Sequence, residues 1–117
     1  MLFGKRYGYG PEGLRELAVD LASATAKQQA RAANALRKDG GLRDAVRLVD
    51  SAFHLADEQI ATGHFTGDAA KLEALRPITG IIRRLQELAS ASSGKVGVAA
   101  TAALDVYLKE APAQPAA

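Results

Sequence analysis

Apolar residues recur every three or four positions over four stretches of this chain, and nowhere do apolar and polar residues alternate for the length of a strand. That period is helical, because side chains at i, i+3, i+4 and i+7 share one face. The first stretch, residues 11–38, sets Leu14, Ala18, Leu21, Thr25, Ala32 and Leu36 on a core stripe. Pro11 suits a first helical turn, Glu12 and Glu16 follow it, and Arg37 and Lys38 close the segment, in the order the helix dipole favours. The second stretch has the sharpest pattern. At about 100° per residue, Leu42, Val46, Val49, Phe53, Ala56 and Ile60 form one stripe, and Ala45, Leu48, Ala52 and Leu55 widen it to half the cylinder. Arg43, Arg47, Asp50, His54, Asp57 and Glu58 take the other half. A helix apolar over so wide a sector is predicted to pack against two neighbours.

The third stretch, residues 68–91, turns Leu72, Leu75, Ile78, Ile82 and Leu85 inward and Glu73, Arg76, Arg83, Arg84 and Glu87 outward. Pro77 removes a backbone donor and disfavours helical geometry at Arg76, which predicts a kink or two short helices. The fourth, residues 95–110, directs Val96, Ala99, Ala100, Ala103, Val106 and Tyr107 to the core. Glycine, proline and serine break the pattern at residues 8–11, 39–41, 62–67 and 90–97. Four amphipathic helices with short connections predict an all-α fold, an antiparallel four-helix bundle with its third helix kinked at Pro77. Residues 11–110 then form the bundle domain, residues 1–10 a flexible glycine- and aromatic-rich arm, and residues 111–117 a disordered Ala/Pro tail.

Composition narrows the function classes. A chain of 117 residues is long enough for one core. Having no cysteine, it forms no disulfide, no thiolate metal site and no thiol nucleophile. No apolar run approaches the roughly 20 residues of a bilayer span. The opening MLFGKRYGYG is interrupted by glycine and charge before a signal's apolar core could form. A cytoplasmic protein without membrane span or cofactor is expected. The net charge of +2 is too small to argue for nucleic acid by itself, yet basic residues gather between Lys27 and Arg47. The bundle topology places the turn at residues 39–41 beside Lys95. Arg37, Lys38, Arg43 and Lys95 therefore form a candidate phosphate-binding patch, and Lys5 and Arg6 of the arm, expected at the other end of the bundle, offer a separate basic contact for a nucleic acid, although no aromatic residue at the turn can stack on bases.

Motifs with defined chemistry are sparse. His54 stands on a helical face, but Asp57 and Glu58 occupy the positions where histidine phosphotransfer domains place a lysine and a glycine, and their charge repels a phosphoryl group. Arg47 and His54 share the arginine–histidine spacing of a class of helical ribonucleases, in which arginine stabilises charge and histidine moves a proton; this is the third-ranked reading. Residues 92–97, SSGKVG, lack the earlier glycine and the hydroxyl after lysine that a phosphate loop needs. Gly40, Ala45 and Ala52 match the small-residue spacing of one tetratricopeptide helix pair, but no copy recurs 34 residues on.

Of three phenylalanines and three tyrosines, Phe3, Tyr7 and Tyr9 fall in the first ten residues. The inward stripes of Leu, Ile, Val and Ala leave these rings without an internal role, so Leu2, Phe3, Tyr7 and Tyr9 are expected to anchor the arm on a partner. The sequence thus points to a non-enzymatic helical interaction module, a homo-oligomer or adaptor subunit of a larger assembly. A nucleic-acid-binding accessory protein is the alternative.

Overall fold

The computed structural model describes residues 6–91 and 94–109. Among them the chain is helical without a strand: α1 (Pro11–Ala22), α2 (Ala26–Lys38), α3 (Gly40–Thr62), α4 (Ala69–Leu75), a 3-10 turn (Arg76–Gly80), α5 (Ile81–Ala91) and α6 (Gly94–Lys109). The all-α expectation holds, and the third segment breaks at Pro77 as its missing donor requires. No helix among the described residues is long and apolar enough to cross a membrane.

The first segment differs from expectation: it is two helices, α1 and α2. Ser23 is extended, its hydroxyl bonds the Gln28 side chain and accepts the Thr25 amide at 3.1 Å, and Gln29 Nε2 donates to the Ser23 carbonyl at 2.6 Å. Serine and threonine offer the backbone local partners that compete with the helical ladder. The helices number more than the four predicted, and the core lies where α1, α2, α5 and α6 meet, with α6 against both α2 and α5. The buried positions of α6 are all small, Gly97, Ala99, Ala100 and Ala103, and they share the core with large residues that include Leu14, Leu17 and Leu21 of α1 and Ile81, Leu85 and Leu88 of α5. Burial of each such leucine or isoleucine contributes about 1.5–3 kcal/mol.

The longest helix, α3, starts at Asp39, whose carboxylate accepts the Leu42 amide, and ends at Gly63, which takes the left-handed conformation (φ 78°) that closes a helix. Leu42 and Val46 enter the main core. Farther along, Phe53 and Ala56 are buried outside it, beneath Arg76, whose guanidinium lies 5.1 Å from the Phe53 ring centroid and pairs with Asp57 and Glu73 at 3.1 Å each. The wide apolar sector of α3 is only half covered: Leu48 and Leu55 are 73% and 57% exposed.

Arg43, expected on the outer face, is 8% exposed. Its Nη1 donates to the carbonyls of Leu36 and Arg37, both at 2.8 Å, which the end of α2 leaves without helical partners. Arg43→Ala should therefore lower urea-unfolding stability by about 2–3 kcal/mol, the loss of a charged donor to buried carbonyls. Arg37→Ala, on the exposed face, should change it by about 0.5 kcal/mol or less.

Candidate interaction surface

Two glycines let the amino-terminal segment lie on the helices. At Gly13 in α1, a Cβ would fall 2.2 Å from the Gly8 carbonyl oxygen; at Gly41 in α3, one would fall 2.6 Å from the Tyr9 hydroxyl. Tyr7 is thereby carried into the core, 5% exposed, and its hydroxyl donates to Asp20 Oδ2 at 2.5 Å. Burial first, then the bond and the charge of Asp20, push the Tyr7 phenol far above its ordinary range, against the pull of Arg31. Tyr9 remains half exposed, and its hydroxyl donates to Asp39 Oδ1 at 2.6 Å, the same oxygen that accepts the Leu42 amide. That bond raises the Tyr9 pKa and lowers that of Asp39, whose lowering is opposed by its own burial and assisted by the amides of Leu42 and Gly41 and by Arg6.

The expectation that these rings have no internal role is thus corrected: Tyr7 fills the core and Tyr9 braces the start of α3. Leu2, Phe3 and Lys5 lie outside the described residues. The signal was present in the glycines, since Gly13 inside a helix and Gly41 at a helix start mark close approach as well as turns.

The basic patch is also altered. Arg37 and Lys38 are exposed at the end of α2, and Lys95 is exposed in the first turn of α6. Arg6 is exposed beside Asp39, but Arg43 is withdrawn under the end of α2. Arg47 and His54 are separated in environment. Arg47 pairs with Asp44 at 2.6 Å, donates to the Tyr107 carbonyl at 3.2 Å and lies 4.9 Å from the Tyr107 ring centroid. His54 is 81% exposed, with Asp50 at 3.7 Å. Among the described residues no cluster of histidine and carboxylate side chains could hold a metal ion.

Two surface features remain. A shallow groove of about 490 Å³ runs between α5 and α6, lined by Ala89, Gly97, Val98 and Ala102 together with the polar Thr101 and Asp105. A longer feature is the exposed side of α3, where Leu48, Ala52 and Leu55 follow one another at steps of four and three residues. This is the spacing of a helix–helix seam. No family model, curated protein or solved structure matches this chain.

The arm's bonds set the pH response. A lowered Asp39 pKa contributes stability above the unfolded value of about 4, and this is lost as pH falls through the folded value. Raised tyrosine pKa values contribute below about 10 and fail as pH rises further. Asp39→Asn keeps the helix cap but should flatten the acid limb of a stability profile. Ultraviolet phenolate titration should show Tyr7, Tyr9 and Tyr107 all ionising above the ordinary value, with burial the leading cause at Tyr107. Gly13→Ala, a change that ordinarily favours a helix by about 0.5–1 kcal/mol, should here destabilise by about 1–3 kcal/mol, because the clash is with backbone; chemical denaturation measures the sign.

Proposed function

We propose that this chain is a non-enzymatic helical interaction module, and that its docking face is the exposed seam of α3. One observation carries the reading: the helix is apolar over half its circumference, and the chain's own elements cover only the half built on Leu42, Val46, Phe53 and Ala56. The second neighbour that such a sector calls for then comes from another molecule, either a copy of this chain or a larger assembly in which it acts as adaptor. Burying Leu48 and Leu55 would supply about 1.5–3 kcal/mol each.

Local chemistry supports a binding role over a catalytic one. Arg47 is engaged with Asp44 and Tyr107, and the ring of His54 has only Asp50 as a polar neighbour in the contacts described. The nucleic-acid alternative loses Arg43 from its patch, and no observation takes its place.

The test joins light scattering of the chain with titration of a fluorescent helical peptide bearing a leucine/alanine seam and glutamine flanks. Self-association or peptide binding is expected. Leu48→Gln with Leu55→Gln should abolish it while leaving circular dichroism and melting nearly unchanged, since exposed substitutions alter stability by about 0.5 kcal/mol or less. A chain that neither associates nor binds the peptide would refute the reading.

A further inference from the structure

The flanks of the α3 seam are unequal. On one side Ala45, Val49 and Ala56 turn toward the chain's own body. On the other, Asp44, Ser51 and Glu58 follow at seven-residue intervals, so they line up along the helix beside Leu48, Ala52 and Leu55. Asp44 and Glu58 are both exposed. Among the described residues Asp44 pairs with Arg47 at 2.6 Å, and Glu58 makes no ion pair. The seam therefore has a single charged rail, and that rail is acidic.

Resting on the interaction reading above, we infer that the seam takes an amphipathic helix of another protein, one whose apolar stripe is flanked by lysine or arginine. Charge decides against a second copy. Asp44 and Glu58 lie equally far on either side of Ser51, so an antiparallel pair with its twofold axis near Ser51 brings Leu48 toward Leu55 of the partner subunit. The same axis sets Asp44 against Glu58 of the partner subunit, and the clash recurs at the other end. In a parallel pair the rail would meet the side of Val49 and Ala56, which is already occupied. A helix with basic residues two heptads apart meets both carboxylates at once, as flanking charges do in coiled coils. The acidic rail likewise repels nucleic acid and anionic lipid surfaces.

Two fluorescent helical peptides with one shared leucine/alanine seam, differing only in lysine or glutamate at the flanks, test this against the full chain. The lysine peptide should bind about three- to tenfold tighter, the scale of two exposed ion pairs gained and two repulsions avoided. The difference should shrink in high salt. Asp44→Asn with Glu58→Gln should erase it while leaving helix content unchanged, and Leu48→Gln with Leu55→Gln should abolish binding of the lysine peptide. Equal affinity for the two peptides overturns the charge inference and leaves the interaction module standing. Binding of neither, with dimerisation that Leu48→Gln abolishes, overturns it in favour of a second copy. Binding of neither by a monomeric chain removes the interaction reading as well.

Discussion

The fold depends on how closely α6 can approach its neighbours. Every buried residue of α6 is glycine or alanine, and α2 meets the core with Ala32, Ala33 and Leu36. Small side chains let helix backbones come together and gain dispersion contacts, but they provide little side-chain volume. Large residues must then come from the periphery: the leucines of α1, the isoleucine and leucines of α5, and Tyr7 from outside the helices altogether. An aromatic ring drawn into a core brings a hydroxyl that needs a partner, and Asp20 is buried with it to provide one. A carboxylate is tolerated there because it accepts that short bond. Gly13 follows from the same constraint, since the segment carrying Tyr7 has to pass over α1 at backbone contact.

What the sequence revealed and what it hid divides along the range of the interactions. Helical period, the proline break at residue 77 and the breaks at residues 39–41 and 62–67 are local, and each was visible in the pattern or its punctuation. The split between α1 and α2 was also local but masked, because apolar spacing continues across it while Ser23, Thr25, Gln28 and Gln29 satisfy one another there. Arg43 was placed on the solvent face because a wheel knows only its own helix. With a single residue between α2 and α3, the outer side of the first turn of α3 lies beneath the last carbonyls of α2. The arm was hidden for a further reason. A partner for Tyr9 thirty residues away leaves no periodic trace, and only the absence of side chains at Gly13 and Gly41 hints that something passes there.

The same shortage of bulk explains why α3 is held more by specific polar contacts than by apolar cover along its distal half. The following helix, α4, buries no residue, so it supplies no second wall. Arg76 does the fastening instead, covering the Phe53 ring and pairing with Asp57 and Glu73 from the 3-10 turn. With Asp39 and Tyr9 fixing the start of the helix, Gly63 closing its end and Arg76 clamping between them, α3 is constrained along its length although half of its apolar sector faces water. A face held in that way would lose little conformational freedom if a partner covered it, so under the proposed docking the burial of Leu48 and Leu55 would go into affinity instead of being spent on ordering the helix. A helix that its own chain covers on only part of its apolar face is therefore well prepared to be covered by another.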